Sequence, residues 1–230
     1  MGSVLLVGTG GALGAMGRYG LSLLPWRGEF PLLTLLTNLL GAVLIGFIAA
    51  SVVAVPLGLF MALNKYVNAI VKPLFDLFKP MPPIAWVSIA ILWFGIGFQS
   101  KAFLVFLFSV FTILYNTVTG AKECKKEYLK VAKVFKANRS QTVFLVIIPA
   151  ALPSIFNGLK LAAATALTGV LFSEMQSARA GLGYLLTESQ NLLNTPRMFF
   201  LIILITLLSV GAVKLIDAIE YAISYRWRHV

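Results

Sequence analysis

An all-helical, polytopic membrane protein of about six transmembrane helices is the fold class this sequence predicts, and three observations carry that expectation. Of its 230 residues, 59% are hydrophobic and only 12% are charged, against roughly 25% charged in an ordinary soluble domain. The apolar residues are gathered into long runs. The charges are lopsided, 19 Lys and Arg against 8 Asp and Glu for a net +11, and they sit between the runs. A water-facing surface needs charge that lipid does not, so soluble enzymes, disordered tails and secreted disulfide scaffolds are excluded.

The first apolar stretch, residues 4–24, is rich in Gly and Ala and has neither a basic leader nor a small-residue cleavage site, so no cleaved signal peptide is expected. The second, residues 31–63, carries no charge at all. At about 20 residues per span it is too long for one perpendicular crossing. It must tilt, extend past the bilayer, or break near Pro56 and Gly58. A third span is expected within 84–97, its start made irregular by Pro80, Pro82 and Pro83. The fourth covers 102–118, the fifth 154–172 after an apolar approach at 143–152, and the sixth 198–223.

With six spans, segments 64–79, 120–141 and 225–230 share one side and hold twelve basic residues. Arg27, Lys101, Arg179 and Arg197 fall on the other. The positive-inside rule then puts both termini in the cytoplasm. The net positive charge reads as a topology signal, with no nucleic-acid partner implied.

Chemistry-bearing clusters are scarce. Cys124 is the sole cysteine and His229 the sole histidine, so metal centres, intrachain disulfides and Ser/His/Asp catalysis have nothing to build on. No GxxxxGK[ST] segment occurs, and the near-miss glycines of residues 8–14 do not make a dinucleotide fingerprint. No cofactor is expected, and no nucleotide site of this type.

The longest polar interruption, residues 120–141, spaces Tyr128, Leu129, Val131, Ala132, Val134 and Phe135 helically among lysines. Such short amphipathic helices can lie on anionic lipid, dock into a partner's groove, or form a solvated hairpin. Pro149 and Pro153 follow as the chain returns to the membrane. They would bend that segment and fix its attitude, letting the loop transmit a push.

From about residue 43 to the end, the chain resembles the permease subunit of binding-protein-dependent ABC importers, in the branch handling nitrate, sulfonates, taurine and vitamin precursors. Pro82-Pro83-Ile84-Ala85-Trp86, Ile91 to Gly97, Asn116-Thr117, Pro149 to Pro153, Asn157-Gly158-Leu159-Lys160, Gly169 to Glu174 and Gly181-Leu182-Gly183-Tyr184 carry the likeness. The family's cytoplasmic motif (Glu-Ala-Ala, three residues, Gly, nine residues, Ile, one residue, Leu-Pro) falls on Lys130-Val131-Ala132, Lys136, Val146 and Ile148-Pro149. Spacing, the third Ala and the Pro match, whereas Lys130, Val131 and Lys136 replace Glu, Ala and Gly. The resemblance implies a type I importer fold with a permease domain over 47–230. It also implies partners: cytoplasmic ABC ATPase subunits, an extracytoplasmic substrate-binding protein and a second permease copy, in a bacterial inner membrane. Tyr128, Leu129, Lys130, Val131, Ala132, Lys133, Phe135, Lys136 and Pro149 would couple to the ATPase. Candidate translocation-path residues are Asn116, Asn157, Lys160 and Glu174. Each has a plainer reading: helix-helix hydrogen bonding for the asparagines, snorkelling for the lysine, an interfacial position for the glutamate.

Residues 1–46 resemble instead the first two helices of small dimeric fluoride channels, through Gly14, Arg18, Thr34, Asn38 and Gly41. The two likenesses overlap near residues 42–47. A passive fluoride channel built on residues 1–50 is therefore the alternative expectation, although the phenylalanine-bearing third helix of those channels is not recognisable.

Overall fold

The computed structural model describes the backbone of residues 32–78, 80–177 and 180–228 and the side chains of 41–78, 80–125, 127–176 and 180–223. The expected first span at 4–24 lies outside the described residues, as do Arg27 and Arg179.

Helix α1, Leu32–Leu63, runs unbroken through Pro56. Its 32 residues reach about 48 Å at 1.5 Å per residue, more than a hydrocarbon core of about 30 Å. The overlong run is therefore one long helix. Asn64 interrupts it, and its Oδ1 accepts the backbone N–H of Tyr66 at 2.9 Å, starting α2, Lys65–Phe78. Among the lysines of 64–79, Val67, Ile70, Val71, Leu74, Phe75 and Phe78 recur at three- and four-residue spacing, so this segment is an amphipathic helix where the sequence reading had only a basic connection.

Helix α3, Pro83–Phe94, begins with proline at its first position and stops at Gly95, whose φ of 71° ends the regular backbone. Twelve residues span about 18 Å, too short to cross alone. The expected third span is instead the second arm of a broken element, its axis turned 99° from α2. The remaining helices are α4, Phe98–Lys122; α5, Lys126–Val134; α6, Arg139–Thr142; α7, Ile148–Ser177; α8, Leu182–Asn191; and α9, Thr195–Arg228. Among the described residues, four helical stretches are long and apolar enough to cross a membrane, with the bent pair as a fifth candidate.

A π-turn, Val143–Ile147, joins α6 to α7, making Arg139–Gln176 a single apolar stretch. The apolar approach and fifth span are thus one continuous element. An α-helical proline collides with the carbonyl four residues back, and a wider turn relieves that crowding. Pro149 stands two residues past the end of the π-turn, and Pro153 is carried inside α7.

Helix α4 is the keystone, packed by α1 on one flank and α7 on the other. Lipid supplies no hydrophobic drive between spans, so close backbone approach must hold them. Glycines provide it. A Cβ on Gly58 would sit 2.8 Å from Thr117, one on Gly158 2.7 Å from Asn116 Cβ, and one on Gly169 2.7 Å from Phe108.

Candidate functional site

Two regions carry the candidate residues: the polar connection between α4 and α7, and an open cleft walled by α4 and α7 where the chain turns from α2 to α3.

In the connection, α5 presents Tyr128 and Val131 half-exposed, while Val134 and Phe135 at its end are 78% and 81% exposed. Ala132 is buried beneath, and Leu129 packs on the cluster formed by Ala121, Ile147, Ala151 and Ile155. Lys130 and Lys133 do not join that core. One face thus anchors the helix to α4 and α7 and the other projects an apolar ridge. The helix closes as a Schellman motif: Ala137 N–H donates to the Ala132 carbonyl and Lys136 N–H to that of Lys133, both at 3.0 Å. Lys136 takes the left-handed position with φ 51°, which glycine occupies most readily. This is the position at which the importer motif has Gly, so the departure is tolerated at a conformational cost without altering the turn. A capping box follows, Asn138 Oδ1 accepting from Gln141 N–H at 2.7 Å and Gln141 Oε1 from Asn138 N–H at 2.8 Å. Two stops in succession leave little play between α5 and α7. A groove of about 630 Å³ runs between them, with Tyr128, Phe135 and Pro149 in its walls.

The cleft, of about 610 Å³, is lined by Phe78, Trp86, Phe108 and Phe111 on its aromatic side and by Thr112, Asn116 and Thr165 on its polar side. Asn157 Nδ2 donates to Asn116 Oδ1 at 3.3 Å, so the two candidate asparagines meet, and Asn116 borders the cleft.

The two candidate charges go elsewhere. Lys160 on α7 forms ion pairs with Asp217 at 2.6 Å and Glu220 at 2.5 Å on α9. Glu174 is 2% exposed and accepts from Lys101 Nζ at 2.7 Å and from the Gly183 N–H at 3.0 Å. Its carboxylate ties the start of α4 and the end of α7 to the turn that opens α8. Gly181, at φ 145°, lies against that carboxylate, leaving no room for a Cβ. The sequence offered no sign of this pairing, since its partners stand 73 positions apart. A second missed pair, Arg197 with Glu188 at 3.0 Å, links α8 to α9.

Of the fluoride-channel residues, Gly14 and Arg18 lie outside the described residues. Thr34 and Asn38 fall on the α1 backbone, their side chains likewise outside the description. Gly41 packs on Phe98, to which a Cβ would come within 3.3 Å.

A family model described as the binding-protein-dependent transport system inner membrane component matches residues 54–229. A protein from Methanocaldococcus jannaschii described as an ABC transporter permease is 39% identical over 151 residues, 65% of this chain and 57% of its own length. A bicarbonate transport system permease protein of Synechococcus elongatus is 30% identical over 185 residues, 79% of this chain and 64% of its own length. The chain thus spans about three fifths of the length of these relatives. Among solved structures, the MetNI methionine ABC transporter superposes with a TM-score of 0.67 over 84% of this chain and 99% of that one, at 18% identity, a likeness of fold. None of these findings supports the fluoride-channel alternative. A multi-pass helical membrane protein of type I importer fold, the chain belongs to the family of binding-protein-dependent transport system inner membrane components.

Proposed function

We propose that the chain acts as the membrane-spanning permease subunit of an ATP-driven importer, lining the path of a small solute over a permease domain of residues 47–230. The observation that carries this reading is the apolar ridge of α5, held by a Schellman stop and a capping box onto a helix that runs on into the membrane. A separate cytoplasmic ATPase would seat Tyr128, Val131 and Phe135 in a cleft, and its closure would move α7 as a lever. Both termini then lie in the cytoplasm. A second copy of the chain would complete the path, and an extracytoplasmic binding protein would deliver the solute. The Synechococcus elongatus relative is described as a bicarbonate transport system permease protein, which supports the small-solute reading.

Phe135→Asp, or Val131→Asp, tests it. Each substitution puts a charge on the exposed ridge without touching the buried face, so insertion and thermal stability stay at the parent's level. Solute-stimulated ATPase activity of the assembled complex should fall to the basal rate. Full stimulation in both variants would refute the coupling role.

A further inference from the structure

The charges on α5 speak to the kind of ATPase it fits, an inference that rests on the permease reading. Successive residues of an α-helix stand about 100° apart. Tyr128, Val131 and Phe135 therefore share about 60° of the helix surface, and the anchoring Ala132 and Leu129 follow on one side. Lys130 and Lys133 lie about 140–160° around from Phe135, and both are exposed. Neither has an ion-pair partner among the described residues. Asp76, Glu174, Glu188, Asp217 and Glu220 are engaged elsewhere, and Glu123 and Glu127 pair with neither lysine. Lys130 also stands where the importer motif has Glu, so this chain offers a cation at a point where that motif offers an anion.

The angular separation decides what kind of surface can cover both features. A bilayer is flat on the scale of one helix, and an interfacial helix keeps its lysines at the edges of its apolar face. With Tyr128, Val131 and Phe135 sunk in lipid, Lys130 and Lys133 would point away from the headgroups. A cleft closes on a helix from two sides and reaches ridge and lysines together.

We propose that α5 fits an ATPase cleft of uneven lining, with an apolar floor for Tyr128, Val131 and Phe135 and a wall of Asp and Glu side chains facing Lys130 and Lys133. The two lysines then select among ATPases. An acidic wall is attracted, and a basic one is repelled by two cations that nothing in the chain neutralises.

The full chain in phosphatidylcholine nanodiscs, titrated with its ATPase subunit, tests this. A carbodiimide joins an amine to a carboxylate only in direct contact, and peptide mass spectrometry should find Lys130 or Lys133 linked to an Asp or Glu of the ATPase. Half-maximal stimulation should need about 2–5-fold more ATPase subunit in Lys130→Gln or Lys133→Gln. Lys130→Glu combined with Lys133→Glu should need about 10-fold more, a shift that shrinks at high salt. Lys130→Arg with Lys133→Arg keeps the charge, so it should lose the cross-links and stimulate like the parent. Cross-links confined to Glu123 or Glu127, parental stimulation in the double Glu variant, or an equal loss in the double Arg variant would overturn the proposal. So would a deficit seen only when phosphatidylserine is added to the nanodiscs, which would assign the lysines to lipid. A parent that couples whatever the sign of charge at 130 and 133 sinks only the acidic wall. A parent that never stimulates its ATPase sinks the permease reading, and the wall with it.

Discussion

Replacing Glu174 with Ala should be the most damaging single truncation of a polar residue in the described chain. Glu174 is 2% exposed, and the Lys101 side chain opposite it is 13% exposed. Deleting the carboxylate leaves an ammonium with its counter-charge gone and strips the Gly183 N–H of its acceptor. Removing one partner of a buried ion pair costs about 3–5 kcal/mol. At about 2–4 °C per kcal/mol for a chain of this size, that is a fall in Tm of about 6–20 °C. The double variant Glu174→Met with Lys101→Met should recover most of the loss, because no buried charge is then left without a partner. Detergent-solubilised protein melted by fluorescence-detected size exclusion reads both. If the single variant melts within about 2 °C of the parent, or if the double variant is worse than either single, the pair is not the clamp described above.

Other expectations follow the same logic. Lys136→Gly should raise Tm, by about 0.5–1 kcal/mol of stability, since glycine takes φ 51° without the Cβ penalty and gives back part of the gain as unfolded-chain freedom. Burial pushes the Cys124 thiol above its ordinary range, so iodoacetamide should modify it more slowly at pH 8 than it modifies an unfolded control, the gap closing as pH rises. The neutral thiol is the form the fold favours, so that small contribution to stability is present below the unfolded thiol's range, near pH 8.5, and is lost above it. Gly158→Val should drive α4 and α7 apart at Asn116 and lower the yield of folded protein. Lys160→Met should destabilise by leaving Asp217 and Glu220 facing each other, and Glu220→Gln should relieve it.

The spans were legible because lipid imposes a crude requirement, about 20 apolar residues in a row, that α4, α7 and α9 meet openly. The connection at 120–141 was legible for the opposite reason, its ridge spaced helically among lysines. Helix α2 was not read because its lysines and Pro73 resemble a loop, although its spacing of Val67, Ile70, Val71, Leu74, Phe75 and Phe78 held the signal. Composition showed prolines at 149 and 153 but not the π-turn that lets the helix carry them. Glu174 and Lys160 could be singled out as charges in awkward places. Their partners could not, because an ion pair across 73 positions, or between α7 and α9, is a property of packing with no trace in local order. The cleft was half visible: Trp86, Asn116 and Asn157 stood out as residue types, while nothing in the sequence marked Thr112 and Thr165 as bordering it.

The central place of α4 bears on how a cell builds the molecule. The flank that α1 covers is available as soon as α4 leaves the ribosome, because α1 is made first. The other flank, where Phe108, Asn116 and Gly120 await α7, stays unmated until the whole polar connection and its return helix have been synthesised. A nascent chain halted in α5 therefore presents the bilayer with a half-finished seam of small and polar side chains, the sort of surface on which membrane chaperones and quality-control proteases act. The order of synthesis makes α7 the closing piece, and a lesion there would be met by the cell first as a failure of assembly.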